Sequence, residues 1–488
     1  MGGWVRSVAG QADILARCVA RGRGQWPVWA PWRRGLATTC PTHTGGAWIT
    51  ATPRVCLHDV PTTLRAGGLP PNAPVTLSAL IVDENGKQFC SHAYYTSDAK
   101  GGVDVGVAAS VGGAYTGVFP EGLLSTLAPA PHEHPALRLY RRHTHTPWKV
   151  RVTVSEGHQP LEARTEAVAE VELERHLMAP GVRRVPVREG RVRGALYLPP
   201  GDGPFPGIVD MFGSVGGLME FRSAMLASRG LASLALAVFA YDDLPTTTDN
   251  LDMEYFEEAV QLLLAQPQVI PDRCGAVGVS KSGDIVFTMG TLFPSVKAVV
   301  GISSCTMAMS SRLTYKGQLY KQGINPPVEM MQMNEHGAYS LDFSFLFDND
   351  NPAMIPVEEA DDETHFLVVA GEDDAFGFGK SLAVFRERML HHNRSNFQTV
   401  LYPGTGHMIE PPYGPLIQQS FQRHFPDHDQ HKRFSKGLMM NWGGQAQFTC
   451  KAQVDLWWRM RNFFMQHLRD ESPWYQDYLS NYSNRLLE

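Results

Sequence analysis

The sequence predicts an α/β fold with a mostly parallel sheet, preceded by an all-β domain. From Gly207 onward, short apolar runs alternate with runs of helical periodicity, which is typical of βαβ units. Between Thr50 and Leu173 the apolar period is two, and clusters of Gly and Pro separate the runs. A single antiparallel sheet would leave one face uncovered, so these short strands predict a small β-sandwich.

Domain boundaries follow from shifts in pattern along the 488-residue chain. Residues 50–175 are assigned to the sandwich, which we expect to be immunoglobulin-like, and residues 182–470 to the α/β domain. Residues 303–363 interrupt the alternation of strands and helices, and long insertions of this kind tend to form caps or substrate walls. We therefore expect a lid-like insertion there, and a C-terminal tail over residues 471–488.

Alternation, turn residues and helical periodicity predict the individual elements. In the sandwich, Asp83 to Gly86 form a hairpin turn between two alternating runs. The predicted strands of this domain cover residues 75–82, 88–95, 103–107 and 148–154. The α/β domain is predicted to contain two strands within residues 182–198, strands over 208–211, 231–238, 274–279, 298–302, 366–370 and 398–402, and helices over 218–228, 254–265, 284–292, 378–392 and 450–468.

A turn at Ser280 has the features of a nucleophile elbow, because an apolar run ends there and a helical run follows directly. The backbone of the central residue is strained in such a turn, so small residues are required two places before and after it. Gly278 and Ser282 occupy these positions, which gives Gly-x-Ser-x-Ser, a weakened form of Gly-x-Ser-x-Gly. Ser280 is the predicted nucleophile. The competing interpretations are Ser282 as nucleophile, although it lacks a Gly two places earlier, and an ordinary polar turn.

Two further strand ends carry the partners that a serine nucleophile requires. Serine needs a base, and the base needs a carboxylate that orients it. In α/β-hydrolases these follow in the order Ser, acid, His, each at the end of a strand. Here one predicted strand leads into Asp373 and Asp374, and the next leads into His407. We predict a triad of Ser280, Asp374 and His407, with Asp373 as the competing acid.

The Gly-rich loop 212–217 follows the first buried strand and is predicted to complete an oxyanion hole. The tetrahedral intermediate of acyl transfer needs two backbone donors. One is expected to be the amide of Lys281, and the other an amide of Ser214 or Val215. A Gly-rich loop that opens a helix can instead hold a phosphate. The loop lacks both Gly-x-x-x-x-Gly-Lys and a full dinucleotide motif, so the oxyanion role is preferred.

Composition and charge narrow the class of protein. The formal net charge of −6 argues against a general affinity for nucleic acid, and no long apolar run predicts a membrane span. The seven cysteines include no Cys-x-x-Cys pair, which favours a reducing compartment and disfavours a zinc site. Four histidines lie beside prolines in loop-like sequence, namely His132, His134, His143 and His145. We expect neither a metal ion nor a cofactor.

Several strings of this sequence resemble one known family. They cover residues 204–213, 241–245, 254–259, 312–317 and 406–413. Together with the order of the two domains, they resemble the type I acyl-CoA thioesterases and their relative, bile acid-CoA:amino acid N-acyltransferase, over nearly all of residues 50–468. The resemblance implies hydrolysis of acyl-CoA to a free fatty acid and coenzyme A by a triad at Ser280, Asp374 and His407.

The nucleophile separates the branches of this family. The transferase has Cys at this position and passes its acyl group to glycine or taurine, whereas Ser280 favours water as the acceptor. The family has Gly where this chain has Ser282, which keeps open a degenerate acyl-CoA-binding protein beside the thioesterase. Transfer of the acyl group to an amino acid, and a carboxylesterase or peptidase activity on the same fold, also stay open.

Two hypotheses about substrate binding come from composition alone. Arg312, Lys316 and Lys321 in the insertion are expected to face the phosphates of coenzyme A. The same segment is rich in Met, which suits either an acyl-chain surface or the filling of gaps in the core. The Met residues concerned are Met307, Met309, Met330, Met331 and Met333. Acyl-chain length and oligomeric state, including whether the protein is a monomer, stay open.

The first 36 residues contain six arginines and one acid, Asp13, and so carry a charge of +5. Trp4, Val5, Ile14, Leu15 and Val19 can share one helical face of this segment. Such a segment is typical of a mitochondrial transit peptide, and the alternative is an untargeted basic tail. Members of the family divide among cytosol, mitochondria and peroxisomes. We therefore expect the mitochondrial matrix, with the cytosol as the alternative. A peroxisomal location is not expected, because residues 484–488 are not a Ser-Lys-Leu signal.

Overall fold

The computed structural model describes residues 46–161, 166–324, 331–347, 351–422 and 438–469. Its N-terminal part consists of strands and one short helix. These elements are β1 (Trp48–Thr52), β2 (Val55–Leu57), β3 (Thr63–Gly67), β4 (Pro74–Val82), β5 (Gln88–Thr96), β6 (Val103–Asp104), β7 (Gly112–Gly113), α1 (Gly122–Ser125), β8 (Ala128–Pro129), β9 (Trp148–Glu156) and β10 (Ala169–His176).

The strands form two sheets, which confirms the predicted all-β domain. One sheet contains β1, β3 and β6, and the other has the order β2-β10-β9-β4-β5-β7 with β8 beside β5. Alternate residues of β4, from Val75 to Ile81, are buried in the core of this domain. The predicted strand over 103–107 is shorter than expected, because the amides of Val107 and Ala108 turn back to the carbonyl of Asp104.

The C-terminal part alternates strands with helices. Its elements are β11 (Arg183–Glu189), β12 (Val192–Leu198), β13 (Phe205–Met211), α2 (Phe221–Ala227), β14 (Ala232–Leu236), β15 (Asn250–Asp252), α3 (Met253–Leu264), β16 (Val269–Val279), α4 (Lys281–Leu292), β17 (Val296–Ile302), β18 (Arg312–Tyr315), β19 (Gln318–Gln322), β20 (Gln332–Met333), β21 (Tyr339–Ser340), β22 (His365–Gly371), α5 (Phe378–His391), β23 (Phe397–Tyr402), β24 (Gln419–Gln422), β25 (Leu438–Asn441) and α6 (Ala446–Leu468).

An eight-stranded sheet organises this part, with the order β11-β12-β14-β13-β16-β17-β22-β23. The first two pairings are antiparallel, and β14, β13, β16, β17, β22 and β23 run parallel. This is the predicted α/β-hydrolase fold. The inner parallel strands are largely buried, whereas the edge strand β23 is partly exposed. Because the strands run parallel, their carboxyl ends meet at one edge of the sheet.

Two helices begin earlier than their predicted first residue. Helix α4 begins at Lys281 rather than 284, because the amide of Gly283 already donates to the carbonyl of Ser280 at 2.9 Å. Helix α6 begins at Ala446 rather than 450, and the amide of Thr449 donates to the carbonyl of Gln445 at 2.9 Å. The first turn of α4 therefore starts immediately at the predicted nucleophile.

The insertion after β17 pairs with strands outside it and contributes residues to the main core. Its strand β18 pairs with β15 as well as with β19, and β21 pairs with β25 near the end of the chain. Met307 and Met309 are buried in the main core, which supports the core-filling interpretation for these two residues. Met331 is partly buried against that core and Met333 is 63% exposed, while Met330 lies outside the described residues.

Buried polar contacts join the sandwich to the α/β part. The carboxylate of Asp59 accepts hydrogen bonds from Arg229 at 2.5 and 2.8 Å and from the indole N–H of Trp457 at 2.8 Å. Arg138 of the sandwich forms an ion pair with Glu410. Because Glu410 lies three residues after His407 in the sequence, this contact holds the loop that carries the predicted catalytic histidine.

The two terminal segments of the prediction, residues 1–36 and 471–488, lie outside the described residues. Across the described part of the chain, none of the helices has the length and apolar character needed to cross a membrane. The same part contains no group of three or more His, Cys, Asp and Glu side chains placed to hold a metal ion.

Candidate active site

Ser280 lies at the sharp turn between β16 and α4, with φ of 55° and ψ of −123°. A non-glycine residue rarely adopts a positive φ, and here the amide of Ser280 is held by a 2.9 Å hydrogen bond to the carbonyl of Ile302. A Cβ at position 278 would collide with the carbonyl oxygen of Ser282, which explains the requirement for Gly278. The backbone therefore has the geometry of a nucleophile elbow.

Ser282, the alternative nucleophile, is only 1% exposed within the first turn of α4. Its hydroxyl donates a 2.5 Å hydrogen bond to the carbonyl of Phe212. A buried hydroxyl engaged with a backbone carbonyl is not presented to a substrate. Ser280 has a partly exposed side chain, so the structure favours Ser280 over Ser282 as nucleophile.

Asp374 and His407 come together at the ends of β22 and β23. The Nδ1 atom of His407 lies 2.9 Å from Oδ2 of Asp374, and both side chains are almost completely buried. The other carboxylate oxygen of Asp374 accepts the amide of Phe376 at 2.9 Å, which fixes the carboxylate plane. Asp373 is exposed, and only its neighbour Asp374 is bonded to the imidazole among these two candidates.

Three aromatic side chains enclose the imidazole of His407. Trp442 stacks on it with ring centroids 5.3 Å apart, while Phe376 and Phe378 lie at 4.8 and 5.5 Å. The amide of His407 also donates to the carbonyl of Trp442 at 2.8 Å. The Nε2 atom is buried, and none of the described residues forms a hydrogen bond with it. One ring nitrogen is thus held by a carboxylate, and the other is available to accept a proton.

The loop 212–217 packs directly against the elbow. A Cβ on Gly213 would lie 2.9 Å from Cβ of Ser280 and 3.1 Å from the amide nitrogen of Lys281, so the loop approaches as closely as glycine allows. The carbonyl of Ser214 accepts a hydrogen bond from Gln422 of β24, and Val215 is 36% exposed. Gly213, which directly precedes the predicted oxyanion residue Ser214, therefore lies against the nucleophile and the amide of Lys281.

The side chain of Lys281 folds back onto its own helix. Its ammonium group lies 2.5 Å from the carboxylate of Asp284, and both groups are buried. The same carboxylate accepts the amide of Met309 at 3.0 Å, which ties the insertion to the elbow helix. Burial raises the pKa of Asp284 against the opposing effect of Lys281. Lys281 is consequently anchored, and its backbone amide has a fixed position at the start of α4.

The three predicted substrate-binding cations lie on the hairpin of β18 and β19, where Arg312 and Lys316 are exposed and Lys321 is half-buried. Next to Lys316 in sequence, Tyr315 packs on Phe293, the residue that caps the C-terminal end of α4. Ser280 lies at the other end of that helix, about 18 Å away for 12 residues.

Sequence reasoning missed the aromatic enclosure of His407 and the hydrogen bond made by Ser282. Phe376 and Phe378 follow the triad acid closely, so their position in the sequence was a usable signal. Trp442 follows β25, which lies more than 30 residues after His407, and no local pattern linked it to the site. The Ser282 bond joins residues 70 positions apart and required the tertiary structure.

Comparison with known proteins places the chain in a family. The model of the acyl-CoA thioester hydrolase/BAAT N-terminal region matches residues 59–189, and the BAAT/acyl-CoA thioester hydrolase C-terminal model matches residues 251–470. Acyl-coenzyme A thioesterase 3 of Mus musculus is 40% identical over 422 residues, which cover 85% of this chain and 92% of that protein. The chain belongs to the acyl-CoA thioester hydrolase/BAAT family. It is an enzyme of the thioesterase type.

Other members of the acyl-CoA thioester hydrolase/BAAT family show the same extent of similarity. Human mitochondrial acyl-coenzyme A thioesterase 2 is 40% identical over 85% of this chain and 82% of its own. The mitochondrial thioesterase 2 of Rattus norvegicus is 37% identical over 92% of this chain and 97% of its own. Among solved structures, a puromycin-hydrolysing peptidase of Mycobacterium tuberculosis aligns with 80% of this chain and 54% of its own, at 13% identity and a TM-score of 0.39.

Proposed function

We propose that the enzyme hydrolyses fatty acyl-CoA thioesters to a free fatty acid and coenzyme A, in acyl-CoA metabolism, with Ser280, Asp374 and His407 as its triad. The single observation that carries the proposal is the hydrogen bonding of the two ring nitrogens of His407. Its Nδ1 is bonded to Asp374, while its Nε2 is buried without a partner. The names of the relatives, which are acyl-CoA thioesterases, supply the substrate class.

In the first half-reaction, Oγ of Ser280 attacks the thioester carbonyl carbon and Nε2 of His407 takes the hydroxyl proton. Asp374 keeps the proton of the imidazole on Nδ1, so Nε2 is the basic nitrogen. The tetrahedral oxyanion accepts hydrogen bonds from the amide of Lys281 and an amide of the loop 212–217. The C–S bond then breaks, the proton on Nε2 passes to the coenzyme A sulfur, and an acyl ester remains on Ser280.

In the second half-reaction, His407 removes a proton from water, and the resulting hydroxide attacks the acyl ester carbonyl carbon. Collapse of this second intermediate returns the proton to Oγ of Ser280 and releases the fatty acid. Apo enzymes commonly hold catalytic hydrogen bonds longer than in the reacting complex. The bond from Ser280 to Nε2 of His407 is therefore expected to form when substrate binds.

The test is release of free coenzyme A thiol from acyl-CoA esters of short to very long chain, by wild type and Ser280→Ala in parallel. Loss of a triad member is expected to lower the rate on the order of 10⁴-fold or more. Turnover that peaks at one chain length and disappears in the variant would support the mechanism and identify the substrate class. Undiminished hydrolysis by Ser280→Ala would contradict the assignment of the nucleophile.

Transfer to an amino acid is the second candidate, because the family models include a transferase by name. Adding glycine or taurine to the wild-type reaction distinguishes the two. We expect free fatty acid and no amide product, since Ser280 occupies the nucleophile position. A carboxylesterase on this fold would instead turn over simple aryl esters with no dependence on coenzyme A.

We also propose that Arg312, Lys316 and Lys321 bind the phosphates at the distal end of coenzyme A. Their support is their shared charge on one hairpin, where Arg312 and Lys316 are exposed and Lys321 is half-buried. Lys316→Glu is expected to raise KM for acyl-CoA about threefold at low salt with kcat unchanged, because an exposed charge contributes modestly and is screened. Lys100→Glu, on an exposed turn of the sandwich, is the matched control. An unchanged KM in Lys316→Glu would remove this part of the proposal.

We further propose the mitochondrial matrix as the location, supported by the charge of +5 on the first 36 residues and by relatives named mitochondrial. The first 36 residues fused to a fluorescent protein should direct it to mitochondria. The same fusion with its six arginines replaced by glutamine should stay in the cytosol. A cytosolic wild-type fusion would contradict the proposal.

A further inference from the structure

Ser282 joins the two chain segments that carry the candidate oxyanion donors. It directly follows Lys281, whose amide is the first donor, and its hydroxyl donates to the carbonyl of Phe212 at 2.5 Å. Phe212 in turn directly precedes Gly213 and Ser214 in the second donor segment. One buried hydrogen bond therefore spans from one donor segment to the other.

We infer that Ser282 is a positioning residue, which sets the separation of the two oxyanion donors by holding the loop 212–217 against the elbow. The inference rests on the proposed function, since it assigns a role within the same acyl-transfer reaction. The hydroxyl adds a contact that a glycine lacks.

The elbow itself provides a rigid reference for this contact. Ser280 is held by the carbonyl of Ile302 at 2.9 Å, and Lys281 is held by Asp284 at 2.5 Å. The loop depends on contacts that reach it from outside. At its far end, the amide of Gly217 donates to the carbonyl of Phe239 at 2.9 Å. The Ser282 bond holds the near end of the loop, beside Gly213, together with the guanidinium of Arg222, which lies over the ring of Phe212.

The side chain of Ser282 fits because it points away from the strand. The close approach at the elbow is between Gly278 and the backbone carbonyl of Ser282, and it does not involve the Ser282 hydroxyl. The hydroxyl instead points to the loop after β13. Serine therefore meets the steric requirement for a small residue at this turn and supplies a donor in addition.

Position matters here because an oxyanion donor acts through its distance to the developing charge. A displacement of about 1 Å in an active site can change the rate on the order of 10²-fold, and loss of one donor costs 10²–10³-fold. If the loop 212–217 loosened, its donor amide would still be present but would lie farther from the oxyanion. We expect Ser282→Ala to lower kcat about tenfold while KM for acyl-CoA stays within about twofold.

The experiment compares Ser282→Ala and Ser282→Gly with Ser91→Ala. Ser91 is the matched control, because its buried hydroxyl also donates a 2.5 Å hydrogen bond to a backbone carbonyl, that of Leu123 in the sandwich. Three quantities are measured, namely kcat and KM for an acyl-CoA, inhibition by a trifluoromethyl ketone analogue of acyl-CoA that forms a tetrahedral adduct, and the rate at which a fluorophosphonate labels Ser280.

Both Ser282 variants should weaken inhibition by the ketone analogue and slow fluorophosphonate labelling by about the same factor as they lower kcat. Ser91→Ala should leave kcat, inhibition and labelling unchanged. Ser282→Thr, which keeps the hydroxyl, should recover part of kcat. Wild-type rates in Ser282→Ala, or equal losses in Ser91→Ala, would overturn the inference. Fluorophosphonate labelling needs no acyl-CoA turnover, so it decides the role of Ser282 even if the proposed substrate is wrong.

Discussion

Two buried carboxylates, Asp59 and Asp374, use similar chemistry for different ends. Asp59 lies between the sandwich and the α/β part, where Arg229 and the indole of Trp457 donate to it and Arg461 lies 3.9 Å away. Asp374 lies at the end of β22 and binds one imidazole. Burial favours the neutral form of Asp59, but the guanidinium of Arg229 prevails and holds its pKa below the usual range.

Asp59 and Asp374 differ in the contacts that their hydrogen-bond partners make. The contacts of Asp59 end in the guanidinium of Arg229, whose charge it compensates, and in the neutral indole of Trp457, so the cluster joins two parts of the fold. The contact of Asp374 continues through His407 to an Nε2 atom that has no hydrogen-bond partner among the described residues. A ring that is held by a carboxylate at one nitrogen and left unpartnered at the other has the arrangement that a general base requires.

The largest expected effect separates Asp374 from its neighbour. Asp374→Asn should lower kcat about 10⁴-fold, because an amide at this position favours the wrong tautomer of His407. The unfolding free energy should change little, and Asp373→Asn, at an exposed position, should leave kcat unchanged. Steady-state thioesterase kinetics on the two variants give the measurement. Equal losses in both would remove the distinction between the two carboxylates.

Asp59 should show the opposite pattern. Asp59→Asn leaves the guanidinium of Arg229 buried without its counter-charge, which should cost about 3 kcal/mol of unfolding free energy. The folded fraction should keep its kcat. Urea unfolding followed by tryptophan fluorescence measures the unfolding free energy. Steady-state kinetics at low temperature measure the kcat of the folded fraction. Asp272→Asn, whose carboxylate is exposed beside Arg273, is the control and should cost less than about 1 kcal/mol. A loss of kcat without loss of stability in Asp59→Asn would reverse the comparison.

A third buried carboxyl group, that of Glu121, is expected to affect only the pH dependence of the unfolding free energy. It is buried and accepts the amide of Thr62 at 3.2 Å, and burial raises its pKa from 4.5 to about 7 against the opposing effect of Arg175. The unfolded chain releases this proton at lower pH than the folded one. The contribution of Glu121 to stability is therefore largest below pH 4.5 and is lost as the pH rises towards 7.

Glu121→Gln removes this titration and keeps the acceptor oxygen for Thr62. Relative to wild type, the variant should gain about 2–3 kcal/mol of unfolding free energy between pH 4.5 and 7. The measurement is urea unfolding of both proteins at about pH 5 and pH 7. A difference that is the same at the two pH values would show that Glu121 is ionised in the folded state throughout, as Asp59 is.

The sequence alone was sufficient for the central sheet and for the elbow, whose causes are local. The strand and helix pattern predicted the central sheet to within a few residues, because burial on both faces imposes continuous apolar runs. Gly278 and Ser280 marked the elbow, since a strained turn restricts residue type within five positions. The order of Ser280, Asp374 and His407 followed from the rule that catalytic residues lie at the carboxyl ends of parallel strands.

Only the tertiary structure could decide features that join distant residues. It selected Asp374 over Asp373, because the two are neighbours in sequence and differ only in the direction that each side chain takes from the strand end. It placed Lys316 at the far end of α4 from Ser280, since the path of an insertion depends on its partners. It gave Ser282 a partner 70 residues earlier in the chain. Sequence patterns record periodicity and residue type, whereas these outcomes depend on which surfaces meet when the chain folds.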